Sequence, residues 1–246
     1  MDKLLYVAMS GAKETLRAQA ANSHNLANAN TTGFKADLSA FQSRAVTGPG
    51  FASRVYATDS SVGWDSSVGT QITTGNPFDV AVQGRGFIAV QDAQGNEAYT
   101  RGGDLHVDPN GQLMTASGLQ VLGDNGPVSV PPFSSATVAP NGTISIVPQG
   151  QTPQTISNVG RIKLVNPATD TVSRGADGLF RTNDGQPAVA DATTTLASGV
   201  LEGSNVDLAG SMVNMIELSR NFDLQIKALH AAEDNGAASA KLLTSS

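Results

Sequence analysis

The sequence predicts a mixed, mainly β fold, in which an antiparallel β sandwich or barrel-like middle domain lies between N- and C-terminal α-helices. The two helices together form a discontinuous, coiled-coil-like helical domain. Three observations predict this. All eleven prolines lie between Pro49 and Pro187, and 22 of the 26 glycines lie between Gly48 and Gly203, so both ends of the 246-residue chain are almost free of helix breakers. Apolar residues at both ends recur at steps of three and four. The middle alternates short apolar runs with turn chemistry at intervals near ten residues, which is the pattern of antiparallel strands and not of a doubly wound sheet.

The first helix is expected from Asp2 to about Asn30. Its larger apolar residues fall at Leu5, Met9, Ala12, Leu16 and Leu26, with a polar gap at Gln19 and Ser23. The last helix carries the stronger seam, at Leu208, Met212, Met215, Ser219, Phe222, Ile226 and Leu229. Asp223 stands four residues before Lys227, in the favourable order for an ion pair along a helix. Ser204-Asn205-Val206-Asp207 just before it fits a capping box with Ser204 as the cap. Such seams ordinarily pack a helix on its own core. Here they sit at opposite ends of the chain, which suggests termini that pair with each other or with neighbouring subunits.

Strands are expected at Asp79–Val82, Phe87–Gln91, Ala98–Arg101, Leu105–Val107, Gln112–Thr115, Leu119–Leu122, Val128–Val130, Thr143–Val147 and Arg161–Val165. Gln94-Gly95-Asn96, Pro109-Asn110-Gly111, Asp124-Asn125-Gly126 and Pro140-Asn141-Gly142 supply turns between them. The resulting division is residues 1–35 and 204–246 as a helical assembly domain, 36–74 as an extended connector rich in Ser, Gly and Thr, and 75–203 as a β-rich outer domain.

Composition excludes several function classes. Fifteen Lys and Arg against 21 Asp and Glu give a net charge of −6, without the basic footprint that nucleic acid requires. With no cysteine there is no disulfide, thiolate metal site or thiol nucleophile. The apolar run from Leu4 to Met9 is too short for a secretory signal, and no stretch reaches the length of a membrane span, so direct membrane insertion is not expected.

Gly84-Arg85-Gly86-Phe87-Ile88-Ala89 satisfies the dinucleotide pattern GxGxxA, but the residues after it read as a strand where a phosphate site needs a helix N-terminus. A Gly-rich hairpin turn explains it better. His24, His106 and His230 are scattered, without a second ligand at metal spacing. Asp104, Asp108 and Asn110 read as a turn and not as a calcium loop. Asn30-Thr31-Thr32 and Asn141-Gly142-Thr143 match the glycosylation sequon, and a helix end and a turn explain them equally well. With neither GxSxG nor a phosphate loop, no catalytic, cofactor or metal residues are predicted and an enzyme is not expected.

Asn25-Leu26-Ala27-Asn28-Ala29-Asn30-Thr31-Thr32-Gly33-Phe34-Lys35 offers amides for inter-helix hydrogen bonds, and a glycine able to take positive φ where the chain turns away. This segment resembles the "NLAN-x-x-T-x-GFK" signature of the flagellar rod and hook family, the axial proteins of the bacterial flagellum. Gly84–Val90 with Tyr99-Thr100-Arg101-Gly102-Gly103 resembles the family's "GFF-V…YTR-x-G" stretch. Asp108-Pro109-Asn110-Gly111-Gln112-Leu113 resembles its "D-x-x-G-x-L" hairpin. Gly199-Val200-Leu201-Glu202-Gly203-Ser204-Asn205-Val206 resembles its "G-x-LE-x-SNV" entry to the last helix, and Met215-Ile216-Glu217 with Arg220-Asn221-Phe222-Asp223 its "MI…R-x-F-[DE]". The polar Gln19-Ala20-Ala21-Asn22-Ser23-His24 departs from the bulkier residues that the family often has before "NLAN".

The resemblance implies a non-enzymatic structural subunit, and the opening residues and length are most similar to the proximal-rod members. Such a subunit would polymerise through its terminal helices and help transmit torque from motor to hook. The assembly interface would comprise Leu5, Met9, Ala12, Leu16, Leu26, Asn28, Asn30, Thr32, Gly33, Phe34, Leu208, Met212, Met215, Phe222, Ile226 and Leu229. Its partners would be copies of itself, other rod proteins and the flagellar type III export apparatus. Its place would be the periplasmic rod of the basal body, reached without a cleaved signal. The alternatives are a distal-rod subunit and a free-standing β-sandwich binding module.

Overall fold

The computed structural model describes residues 2–45, 55–152 and 154–244. It divides into two compact units. One contains residues 1–29, 36–65 and 206–246, and the other residues 30–35 and 66–205.

In the first unit, α1 spans Asp2–Ala27 and α2 spans Leu208–Thr244. Asn22 Nδ2 of α1 donates to the Ser211 carbonyl of α2 at 2.7 Å, and a Cβ on Gly11 would lie 3.0 Å from the Gln225 side-chain amide. Position 22 thus faces 211 while position 11 faces 225, so the helices run antiparallel. Helix α1 ends where the Asn28 side chain donates back to the His24 carbonyl at 2.9 Å. Helix α2 begins at Asp207, whose Oδ1 accepts from the Ala209 amide at 3.1 Å. Asp207 caps the helix, because a carboxylate immediately before the first turn reaches an orphan amide.

The segment expected as an extended connector is ordered pairing instead. β1 (Asp37–Ala45) and β2 (Val55–Trp64) form a long antiparallel pair from Asp37↔Trp64 to Ala45↔Val55. The part of that expectation covering residues 46–54 falls outside the described residues. Ser, Gly and Thr enrichment does not distinguish a connector from a paired ribbon, because pairing depends on the partner strand and not on local composition.

The second unit holds β3 (Gln71–Thr73), β4 (Val80–Gln83), β5 (Phe87–Gln91), β6 (Glu97–Thr100), β7 (Leu105–Val107), β8 (Leu113–Thr115), β9 (Gln120–Gly123) and β10 (Gly126–Pro127). It continues with β11 (Phe133–Val138), β12 (Thr143–Pro148), β13 (Ser157–Arg161), β14 (Leu164–Val165), β15 (Val172–Arg174), β16 (Phe180–Thr182), β17 (Thr195–Ser198) and β18 (Val200–Glu202). All pairings are antiparallel. The largest sheet runs β15-β16-β6-β5-β9-β8-β7, with β10 added on β9 and β14 on β5. A second sheet is β11-β12-β13, and β17-β4 and β18-β3 are separate pairs. The sheets are open, so the sandwich half of the expectation fits and the barrel half does not. Val80, Ile88, Val90, Leu113 and Val121 of the large sheet share one buried cluster with Val138, Ile144 and Ile146 of the smaller. Phe78 and Phe133 meet edge to face within reach of it, 5.5 Å between centroids.

Two strand expectations shift. Val128–Val130 is not a strand, although Ser129 bridges to Gln112, and the run Arg161–Val165 divides between β13 and β14. The glycines of the GxGxxA pattern join β4 to β5, which pair with other strands, so the segment is a turn between sheets and not a hairpin.

Candidate assembly site

The helices of the first unit bury a different stripe of α1 from the one its large residues suggest. Ala8, Gly11, Thr15, Ala18, Asn22 and Asn25 are buried, at alternating steps of three and four, one position out of phase with the expected seam. Of the expected residues Ala12 is buried and Leu5 and Leu26 are half-buried, while Met9 and Leu16 are 52% and 50% exposed. The physical reason is close approach. Small residues let the helices pack tightly, and Asn22 supplies the inter-helix hydrogen bond. On α2 the less exposed stripe runs through Ser211, Met215, Leu218, Phe222, Gln225 and Leu229, with Ile226 beside it. Met215, Phe222, Ile226 and Leu229 are half-buried there, and Leu218, absent from the expected seam, is the buried one. Leu208 and Met212 are exposed.

Among the described residues, thirteen large hydrophobic side chains are exposed, and eight of them lie on α1 and α2: Tyr6, Met9, Leu16, Leu208, Met212, Val213, Ile216 and Leu224. Single exposed apolar residues are ordinary, but a concentration on two helices marks a surface suited to association.

The asparagines of the motif divide their work. Asn25 pairs with the Asp37 backbone in both directions, Nδ2 to the carbonyl at 3.0 Å and Oδ1 from the amide at 2.8 Å, and so seats the start of β1 on α1. Asn28 closes its own helix, and Asn30 is exposed. Inter-helix bonding by an amide comes from Asn22, outside the recognised motif.

The rest of that motif lies in the second unit, where it reaches a buried ion cluster. Lys35 Nζ lies 2.6 Å from Glu202 Oε1, and Arg101 Nη2 lies 2.6 Å from Glu202 Oε2, with all three side chains at most 3% exposed. The Gly69 amide adds a bond to Glu202 Oε1 at 3.0 Å. Arg101 also donates to the carbonyls of Val82 (3.0 Å), Gly84 (3.0 Å) and Gly86 (2.8 Å), which is the task of the Gly-rich turn. Satisfying every donor in this way is what makes a buried guanidinium tolerable.

Gly33 takes φ +69°, and a Cβ on it would stand 2.2 Å from the Arg101 carbonyl carbon. Its amide donates to the Glu202 carbonyl at 2.7 Å. Phe34, half-buried, lies under the Arg174 guanidinium at 4.7 Å, and Thr32 is half-buried beside it. All three ion-cluster residues lie inside the recognised motifs, but no local pattern joins them. The signal that was available is one charged residue of complementary sign in each of three separate apolar or Gly-rich motifs.

Other charges in this unit stabilise turns. Asp108 Oδ1 accepts from the Asn110 and Gln112 amides at 2.9 and 2.7 Å, and those bonds hold its carboxyl below the usual range. This is the β7–β8 turn, with Gly111 at φ +81°. Arg181 bridges Asp92 (2.9 Å) and Asp177 (2.6 Å), lowering both acids chiefly through its hydrogen bonds. Burial pushes the Tyr99 phenol up to about 12 while its hydroxyl accepts from the Ala188 amide. Among the described residues no group of three or more His, Asp or Glu is placed to hold a metal ion. No helix there is long and apolar enough to cross a membrane.

An antiparallel helix pair that leaves large apolar side chains exposed, and a β unit made of residues 30–35 and 66–205, fit a structural protein that assembles with others. Three family models match in order: the flagella basal body rod protein over residues 5–35, the flagellar hook protein FlgE/F/G D1 domain over 81–163, and the flagellar basal body rod FlgEFG protein C-terminal region over 197–242. The chain is 42% identical to the flagellar basal-body rod protein FlgF of Escherichia coli K12 across the whole of both proteins, and likewise to that of Salmonella typhimurium. It is 30% identical to the rod protein FlgG of Bacillus subtilis, over 95% of this chain and 96% of that protein.

The chain belongs to the flagellar basal-body rod protein family, as a structural, non-enzymatic subunit of the rod. Within the family it is most like FlgF, and the distal-rod alternative is the less supported. Lys35, Arg101 and Glu202 come one from each of the three matched segments, so the ion cluster is where those segments meet.

Proposed function

We propose that this subunit polymerises with copies of itself and with other rod proteins through the outward faces of α1 and α2, as part of the proximal rod in the periplasm. The observation that supports this reading is the concentration of exposed large apolar side chains on the two helices. Met9 and Leu16 of the expected interface, with Leu208 and Met212, belong to that outward set. Ala12, Met215, Phe222, Ile226 and Leu229 belong to the stripes nearer the helix pair. The outward residues serve contacts between subunits, and the inner ones hold the pair together. In this reading the β unit is the outer part, the rod passes torque from motor to hook, and the chain arrives through the type III export apparatus without a cleaved signal.

The test is Ile216→Asp, at a side chain 54% exposed in the single chain. Substitution at such a site changes the stability of the subunit by about 0.5 kcal/mol or less, while a carboxylate in an apolar subunit interface is strongly unfavourable. The purified variant should melt as the wild type does, and cells carrying it should export the protein yet be non-motile. Full motility would contradict the proposal.

A further inference from the structure

Residues 30–35 belong to the β unit although the whole of segment 36–65 separates them from the rest of it. Several of their attachments run to residues 202–205, at the other end of that unit. The Gly33 amide donates to the Glu202 carbonyl at 2.7 Å, and the Asn205 amide donates to the Phe34 carbonyl at 3.3 Å. Lys35 Nζ reaches Glu202 and the Ser67 carbonyl, and Arg174 donates to the Lys35 carbonyl. The apolar core cluster, among the described residues, draws its members from Phe78 to Leu196 and takes none from 30–35 or 199–205. Arg101 is different: three of its acceptors are carbonyls of the β4–β5 region, which the core holds in place.

We propose that Lys35, Arg101 and Glu202 form a clasp that opens and closes in one step, releasing residues 30–35 and 199–205 together while the β core stays folded. Arg101 is the fixed half, and Lys35 and Glu202 are the moving halves. The one-step character follows from burial. Withdrawing Glu202 alone would leave two cations in a dry site, and withdrawing Lys35 alone would strip one carboxylate oxygen of its counter-charge, so half-open states are strongly penalised. The two released segments lead directly from α1 and into α2. The clasp is therefore a locally unfolding element with its own opening equilibrium.

Amide hydrogen exchange on the full chain, resolved by residue, tests this. In the wild type the Gly33, Gly69 and Asn205 amides should exchange at one common rate, faster than the Val90 and Val121 amides of β5 and β9. Glu202→Gln should raise the three clasp rates by about a hundredfold or more and leave the β5 and β9 rates unchanged. Lys35→Met, which keeps the Arg101–Glu202 pair, should raise the Gly33 and Asn205 rates by one shared, smaller factor. Different wild-type rates at Gly33 and Asn205 would overturn the one-step clasp. So would β5 amides accelerating as much as Gly33 in Glu202→Gln, because the cluster would then be part of the global core. If Glu202→Gln does not fold, Lys35→Met decides the matter, and failure of both to fold overturns the clasp.

Discussion

Replacing Arg101 by Lys keeps the charge and removes the fork. The guanidinium donates to Glu202 Oε2 from Nε at 2.8 Å and, through its other two nitrogens, to three carbonyls at 2.8–3.0 Å. An ammonium projects three donors from one point. If it follows Glu202, the carbonyls of Val82 and Gly86, which lie in buried bonds, lose their donor. Each unsatisfied buried acceptor costs about 1–3 kcal/mol, so the expected loss is about 2–6 kcal/mol. For a unit of this size that lowers the melting temperature by about 5–15 °C. Urea unfolding followed by β-sheet circular dichroism measures it, with Arg85→Lys as the control, since Arg85 is exposed and should change stability by about 0.5 kcal/mol or less. An Arg101→Lys protein as stable as the control would refute the claim that the guanidinium is held by those carbonyls.

Three further outcomes are expected. Gly33→Ala should destabilise the closed clasp by about 2 kcal/mol or more, read as faster Asn205 amide exchange with the β5 amides unchanged, because it combines positive φ with a Cβ 2.2 Å from Arg101. Leu218→Ala, at a side chain 4% exposed, should cost the helix pair about 2–3 kcal/mol and lower the helical melting transition without moving the β transition. Acid should weaken the β unit in a defined window. The carboxyl of Asp191 is brought from 3.8 down to about 2 by the Thr193 amide and the Thr193 and Thr194 hydroxyls. A folded value below the unfolded one means stability that is complete above about pH 4 and lost as pH falls from 3.8 through about 2. Asp92 and Asp177 act in the same direction. Asp191→Asn should therefore lower stability at pH 7 and flatten its decline between pH 4 and pH 2.

How much of this was legible in the sequence depended on whether one local pattern decided each element. Strands β5 and β7 were expected at their observed ends, because Phe87–Gln91 and Leu105–Val107 are apolar runs closed by Gly and Pro turn chemistry. Strands β15 to β18 were not expected, since short runs such as Val172–Arg174 carry little periodicity and depend on partners far along the chain. The helices were legible but their inward face was not. Two adjacent stripes on α1, one of Ala8, Gly11, Thr15 and Ala18 and one of Met9 and Leu16, both satisfy a heptad. Size alone favours the second, whereas close helix packing selects the first. On α2, Phe222 is half-buried in the same stripe as the buried Leu218.

The ion cluster could not be assembled from local patterns, because its bonds span 167 residues between Lys35 and Glu202 and 101 between Arg101 and Glu202. Its members were nevertheless visible as single charges in Gly-Phe-Lys, Thr-Arg-Gly and Leu-Glu-Gly contexts.

Density for the native rod at side-chain resolution tests the central claim most directly. The account predicts that Met9, Leu16, Met212 and Ile216 are covered by helices of neighbouring subunits, while Asn22 and Leu218 keep their contacts within one subunit. A rod in which those four side chains remain in contact with solvent, with neighbouring subunits joined through the β unit alone, would contradict it.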